Sequence, residues 1–180
     1  ILGRKTYDIF LFLNGVIAPV LLGGAVSTFF FGSDFTISRS NIVGDSGIIS
    51  QWGPWHGLEV LADWRVVVFG LMVLFLSRVI ANLWYINQID DEETRKWNRR
   101  QLLVNGAVFV CLYLVVLAVL LTATGYETVG EHEFRLVEYK YLHNICGNWW
   151  VLTALLAGTV AVLAGIIVSL VRPSFTKGIW

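Results

Sequence analysis

One arginine, Arg78, stands deep inside a long apolar segment, where its side chain needs a partner. The segment runs from Val66 to Ile86. Arg78 precedes Ile86 by eight residues, about 12 Å at the helical rise per residue. A charged side chain inside a membrane span is costly and normally faces a protein interior or a cavity, paired with another group. Asn14 and Asn105 lie in the corresponding halves of two other apolar segments, so we expect them to be its neighbours.

Arg78 has two interpretations at this stage. In the functional one, the guanidinium anchors an anionic cofactor group, a quinone headgroup or a carboxylate of a partner subunit, with Asn14 as a second binding residue. In the structural one, Arg78 snorkels toward the membrane surface or locks two helices together.

A second pair with chemical potential is His56 and Glu59. The two residues are three apart on a predicted short helix, so their side chains share one face and could exchange a proton or a hydrogen bond. A single pair of this kind on an interfacial helix is more often structural than catalytic. We therefore expect a structural role.

Known catalytic and metal-binding patterns are absent from the sequence. It has no GxGxxG, P-loop, HExxH or nucleophile-elbow motif, and no CxxC motif or Cys/His cluster. Cys111 and Cys146 are predicted to be free thiols, because a disulfide between them would have to cross half a bilayer. The sequence therefore predicts no catalytic residue and no metal ligand.

The three histidines all lie outside the apolar segments, at His56, His132 and His143. A haem held in a four-helix bundle is usually ligated by histidines that project inward from facing helices. The alternative is that His56 and His143 meet at the outer end of the spans and ligate a haem there. We favour a chain that binds no haem directly.

The elements that must position these residues are membrane helices. Apolar residues make up 56% of the chain and charged residues 14%, against about 25% charged in a typical soluble domain. The net charge is zero, so nothing indicates a nucleic-acid partner. Each span must be a helix, since lipid offers no partner to backbone polar groups. The sequence predicts an all-α polytopic membrane protein with four spans, at residues 9–31, 66–86, 102–124 and 149–171.

The loops and charges add an orientation. Lys and Arg are enriched on the side that holds both termini, which predicts that this side is cytoplasmic. On the opposite side, Pro54 and the residues after it predict a short interfacial helix in the first outer loop. A hairpin is predicted near Phe134 to Tyr139 in the second outer loop, followed by an aromatic anchor up to Trp150. Asp90 to Glu93 are expected to cap the third span.

Two strips of small residues predict close helix contacts. The first span carries Gly15, Pro19, Gly23 and Ser27 at successive i+4 positions, and Pro19 is expected to kink it. The fourth span carries the second strip, formed by Ala154, Ala157, Gly158, Ala161 and Gly165.

Five strings resemble subunit II of cytochrome bd-type quinol oxidases. In chain order they are GRKTYDIFLFLNG, FFFGSDF, PWHGLEVLADWR, NLWYINQIDDEE and YKYLHN. The resemblance covers essentially the whole chain and matches the middle of a longer subunit. Since the chain begins at Ile1 and not at a methionine, we expect a single transmembrane region that is part of such a subunit.

The resemblance implies a heterodimeric respiratory complex in a bacterial plasma membrane. Such complexes oxidise quinol and reduce dioxygen to water, with haems b and d and the quinol site in subunit I. Subunit II is the haem-free companion that supports subunit I and, in some members, holds a structural quinone. No catalytic residue of the family can be carried onto this sequence.

Two alternatives stay open beside an accessory oxidase subunit. A transporter fragment that uses Arg78 for an anionic substrate predicts interrupted helices and repeat symmetry. A purely structural membrane scaffold predicts that loss of Arg78 impairs assembly without changing turnover.

Overall fold

The computed structural model describes residues 3–33, 35–38, 49–129 and 134–172. Within these ranges there are five α-helices, four strands and one 3₁₀ helix. The helices are α1 Arg4–Phe31, α2 Trp64–Gln88, α3 Glu92–Thr122, α4 Lys140–Gly147 and α5 Trp149–Val171. The strands are β1 Phe35–Ser38, β2 Ile49–Trp52, β3 Gly125–Thr128 and β4 Phe134–Val137, and the 3₁₀ helix is Leu58–Ala62. Two compact units result, one ending at Leu74 and one beginning at Phe75.

Four helices of the described ranges, α1, α2, α3 and α5, are long and apolar enough to cross a membrane. They confirm the predicted all-α polytopic fold. The predicted bounds of α2 and α5 agree with the structure to within two residues, whereas α1 and α3 begin earlier than predicted. The early starts have a physical reason: polar turns extend a helix past the lipid, where hydropathy no longer detects it.

The early start of α3 rests on a capped first turn. Asp91 accepts a hydrogen bond from the backbone N–H of Thr94 at 2.8 Å and from its hydroxyl at 2.5 Å. These two bonds, the hydroxyl bond first, lower the pKa of the Asp91 carboxyl. Glu92 and Glu93 occupy the first turn, where acids favour the positive end of the helix dipole. The capping role predicted for this acidic run is confirmed.

The loops after α1 and after α3 each contain an antiparallel hairpin. β3 pairs with β4, which confirms the hairpin predicted near Phe134. β1 pairs with β2 in the first loop, with Phe35 opposite Trp52, and this hairpin was not predicted. The short helix predicted after Pro54 is present as the 3₁₀ helix Leu58–Ala62, and its position at the membrane interface stays a prediction.

In the first unit, α1 and α2 cross at two glycines. Gly23, Gly24 and Ser27 are buried on α1. A Cβ built on Gly23 would lie 2.8 Å from the Cα atom of Gly70, and one on Gly70 would lie 2.7 Å from the carbonyl oxygen of Val20. The C-terminal part of the predicted strip, Gly23 and Ser27, therefore lies at a close helix contact. Gly15 is not part of it, because nothing lies within 4 Å of a Cβ built there.

The ends of α1 and α2 are joined by aromatic and charged groups in the same unit. The Phe30 and Phe69 rings stack with their centroids 6.2 Å apart. The Arg65 guanidinium lies 4.7 Å from the centre of the Phe31 ring and donates from Nε to Asp63 at 2.9 Å. Hydrogen bonds from the Arg65 side chain and, to a smaller extent, from its backbone N–H lower the pKa of Asp63.

In the second unit, α3 and α5 run antiparallel. The Tyr113 and Thr159 hydroxyls are 2.7 Å apart, and Arg99 Nε donates to the carbonyl oxygen of Ser169 at 3.3 Å. Interhelical hydrogen bonds of this kind contribute about 0.6 kcal/mol in membranes. The contact is made through Thr159 and Ser169 and not through the predicted small-residue strip of α5. That strip is largely exposed, and Gly158 has open space around it.

Candidate functional site

Arg78 lies on α2 with its side chain exposed. Leu74 and Asn82, four residues before and after it on the same face of α2, are buried, and so is Val79, so Arg78 is an exposed position between buried ones. In the part of the chain that the structure describes, Arg78 makes no hydrogen bond or ion pair. Both interpretations of Arg78 therefore stay open: its guanidinium snorkels toward the membrane surface, or it pairs with a group from outside the described residues.

The asparagines predicted as neighbours of Arg78 lie in different environments. Asn14 is exposed on α1, in the first unit. Asn105 is 6% exposed on α3, and Asn82 is 7% exposed on α2. The described contacts do not join Asn105 to Arg78, so the second unit does not contain the predicted polar cluster around the arginine.

The loop between α1 and α2 is organised by Glu59, which the sequence had paired with His56. The Glu59 carboxylate instead accepts hydrogen bonds from the backbone N–H groups of Trp55 at 2.7 Å and Gly57 at 2.8 Å. His56 has a φ of 51° and Gly57 a φ of 99°, so the backbone turns sharply between the two N–H groups that bind the carboxylate. A Cβ on Gly53 would collide with the same carboxylate. Glu59 therefore holds a tight turn together.

The hydrogen bonds from Trp55 and Gly57 to Glu59 predict that the stability of this turn depends on pH. Backbone N–H groups, first its own and then those of Trp55 and Gly57, lower the pKa of Glu59 from the ordinary value of 4.5. A depressed pKa means that the carboxylate stabilises the turn fully above about pH 4.5 and loses that effect as the pH falls further. Glu59→Gln should raise hydrogen exchange at the Trp55 and Gly57 amides several-fold at neutral pH, because an amide offers a single acceptor oxygen.

The control for this prediction is Glu138→Gln, which changes an exposed carboxylate in the turn after β4. It should leave exchange at Trp55 and Gly57 unchanged. Equal exchange in the wild-type protein and Glu59→Gln, at pH 7 and at pH 4 alike, would show that the carboxylate does not hold the turn.

In the segment between α3 and α5, an ion pair joins strand β3 to helix α4. Lys140, the first residue of α4, donates from Nζ to the Glu127 carboxylate on β3, and this bond is the main cause that lowers the pKa of Glu127. A Cβ on Gly125 would lie 2.9 Å from Cβ of Lys140, so the strand and the helix are in close contact. Tyr139, which precedes α4, has a φ of 53°. The short helix α4 was not predicted.

Aromatic side chains are exposed around this second loop. Tyr126 is 73% exposed, and Trp149 and Trp150 at the start of α5 are 77% and 61% exposed. Tyrosine and tryptophan are enriched at membrane–water interfaces, where one end of the ring is apolar and the other wet. Trp149 and Trp150 belong to the predicted aromatic anchor, whose position at a membrane surface stays a prediction.

The described spans do not fit a haem in the manner of a four-helix bundle. They contain no histidine. Their other side chains of types that can ligate haem iron are Met72, buried on α2, Cys111, exposed on α3, and the tyrosines Tyr7, Tyr85 and Tyr113. His56 is exposed in the turn before the 3₁₀ helix, His143 is exposed on the short helix α4, and His132 lies outside the described residues. Among the described residues there is also no group of three or more His, Cys, Asp or Glu side chains that could hold a metal ion.

Comparison with known proteins gives one match. A family model described as cytochrome bd terminal oxidase subunit II matches residues 2–178. Comparison with curated proteins and with solved structures gave no match. The matched range includes all four spans and both outer loops, and with them the five strings that carry the resemblance.

Proposed function

Because the chain belongs to the family of cytochrome bd terminal oxidase subunit II, we propose that it is the haem-free accessory subunit of a quinol:dioxygen oxidoreductase. In this proposal the haem-bearing subunit I holds haems b and d and carries out quinol oxidation and dioxygen reduction. The present chain supports subunit I in a heterodimer and contributes no catalytic residue. The observation that carries the proposal is the family match over nearly the whole chain.

The side-chain chemistry of the spans supports a haem-free role. α1, α2, α3 and α5 contain no histidine, and their interior contacts are glycine crossings, stacked rings and hydroxyl hydrogen bonds. Such contacts fix helix positions and carry no redox group. The transporter alternative predicts interrupted spans, whereas each described span is one continuous helix, and α1 continues through Pro19. That alternative gains no support.

The proposed location is a bacterial plasma membrane, with the termini of this segment on the cytoplasmic side. The support is the distribution of Lys and Arg, which are concentrated at the ends of the spans that face the termini. Those residues are Arg4, Lys5, Arg95, Lys96, Arg99, Arg100 and Arg172.

Arg78 is proposed to meet its partner group in the assembled complex. An exposed guanidinium within a span is compatible with two acceptors from outside this chain, a carboxylate of subunit I or the oxygens of a bound quinone headgroup. The exposed Asn14 is proposed as a second polar contact for a quinone. Both residues would then bind and orient a group, without taking part in electron transfer.

The proposal is tested by expressing the tagged chain with and without the haem-bearing subunit. Haem absorbance and quinol oxidase activity should be found with the two subunits together and should be absent from the tagged chain alone. Haem bound in stoichiometric amount by the isolated chain would overturn the proposal.

A further inference from the structure

Basic side chains gather where α3 begins and α5 ends. The hydrogen bond from Arg99 Nε to the carbonyl oxygen of Ser169 brings these two helix ends side by side. Lys96 and Arg100 on α3 and Arg172 directly after α5 are all exposed. Each of these three exposed cations therefore lies within three residues of this hydrogen bond along its chain segment.

The cations and acids of this region lie at different depths. Leu102 is fully buried and marks the start of the apolar run of α3. Counted from Leu102 along the helix, Arg100 lies about 3 Å away, Lys96 about 9 Å and Glu93 about 13 Å. The headgroup layer of a bilayer is about 5–8 Å thick on each side. Arg100 is thus level with lipid phosphates and Lys96 reaches them with its flexible stem, whereas Glu93 and the preceding acids extend into water.

Two of the four acids before the junction are engaged with other groups. Asp90 forms an ion pair with Arg95 at 2.7 Å, and Asp91 caps α3 through Thr94. Glu92 and Glu93 are exposed in the first turn of α3, on the side of the junction that extends into water. Within the described part of the chain, no ion pair involves Lys96, Arg100 or Arg172, so no carboxylate is paired with these three cations.

An aromatic residue marks the same level of α3. Trp97, next to Lys96, is 61% exposed. Exposed tryptophan beside lysine and arginine is typical of the headgroup layer, where the indole ring packs among lipids and its N–H stays hydrated. The junction therefore combines headgroup depth, an exposed aromatic ring and three cations that form no ion pair in the described residues.

We propose that the junction of α3 and α5 is a binding site for the headgroup of an anionic phospholipid, with Lys96, Arg100 and Arg172 as the phosphate-binding side chains. Arginine presents two parallel N–H donors that match a phosphate group, and clustered cations beside a span attract anionic lipid. The site goes beyond the accessory role proposed above and does not depend on where the haems are bound.

The site is tested by native mass spectrometry of the detergent-solubilised protein, together with any subunit that purifies with it. Phosphatidylglycerol and, separately, phosphatidylcholine are titrated in. We expect phosphatidylglycerol to bind more tightly than phosphatidylcholine. Arg100→Gln should weaken phosphatidylglycerol binding about fivefold, and adding Arg172→Gln to make the double variant should weaken it about fivefold further. Arg100→Lys keeps the charge and should retain most of the affinity, which separates loss of the site from loss of the fold.

The matched control is Arg135→Gln, which removes an exposed arginine on β4. It should leave the affinity for phosphatidylglycerol unchanged. The proposal is overturned if the wild-type protein shows no preference for phosphatidylglycerol, or if Arg135→Gln weakens binding as much as Arg100→Gln. It is also overturned if the double variant loses a co-purifying subunit while lipid binding stays the same, since the cations would then bind a protein.

Discussion

Gly70→Ala is expected to force α1 and α2 apart and to destabilise the first unit strongly. The added Cβ would lie 2.7 Å from the carbonyl oxygen of Val20 and 3.1 Å from its Cγ1 atom. The clash is with backbone, so no side-chain rotation relieves it, and the helices must separate. Overpacking of this kind typically costs about 1–3 kcal/mol. Gly23→Ala should act in the same direction, because its Cβ would lie 2.8 Å from the Cα atom of Gly70.

The measurement is thermal unfolding in detergent, followed by the loss of a monodisperse peak in size-exclusion chromatography. Gly15→Ala and Gly158→Ala are the matched controls, because each adds the same methyl group to a span where nothing lies within 4 Å. Both should be neutral or slightly stabilising, since alanine is favoured over glycine in a helix by up to about 1 kcal/mol. If Gly70→Ala unfolds at the same temperature as these controls, the helices do not cross at the glycines.

Arg78→Leu is expected to lower the amount of assembled complex sharply. If Arg78 pairs with a group from outside this chain, the leucine leaves that group unpaired in the membrane, which costs about 2–5 kcal/mol for a buried charge pair. The snorkelling interpretation predicts the opposite sign. Leucine is then cheaper in the span than arginine by about 3 kcal/mol, so the variant should be at least as stable as the wild-type protein.

The two interpretations separate when complex yield and quinol oxidation per complex are measured together. Arg78→Lys keeps the charge and should recover part of the yield, whereas Ile80→Leu changes a neighbouring exposed residue of α2 and should have no effect. Lower turnover per assembled complex would indicate a bound quinone. Lower yield with normal turnover would indicate that Arg78 serves assembly alone, through a contact such as a carboxylate of the partner, as the structural alternative also predicts. Arg78→Leu with wild-type yield and turnover would contradict both forms of the proposal.

The sequence predicted the four spans well because a bilayer imposes a length and an apolar composition that one chain must satisfy by itself. It also predicted the cap of α3, since Asp91 acts within its own first turn, and the β3–β4 hairpin near Phe134. These features depend on interactions between residues close in the chain.

The features that the sequence did not predict depend on contacts between distant segments. The strip on α1 was only partly right: Gly23 and Ser27 are buried, but Gly15 lies where no second helix approaches. The small-residue strip of α5 was expected to make a helix contact, yet within the described residues α5 packs on α3 through Thr159 and Ser169. Composition marks residues that permit a close approach, but it does not specify which helix approaches.

The candidate site shows the same division. Arg78 was identified from the cost of a charge in lipid, which needs no knowledge of its neighbours. The structural role expected for Glu59 agrees with the structure, but its partner was mispredicted, because i, i+3 spacing assumes a regular helix. The left-handed turn at His56 and Gly57 instead directs backbone N–H groups to the carboxylate.

The central claim, that this chain supports a haem-bearing partner and binds no haem itself, is tested most directly by an absorbance spectrum. The tagged chain is purified in detergent after expression in a host that lacks the haem-bearing subunit, and again after co-expression with it. We expect no haem absorbance from the chain alone, and haem b and haem d bands with quinol oxidase activity from the pair. A stoichiometric haem spectrum from the chain alone would contradict the account.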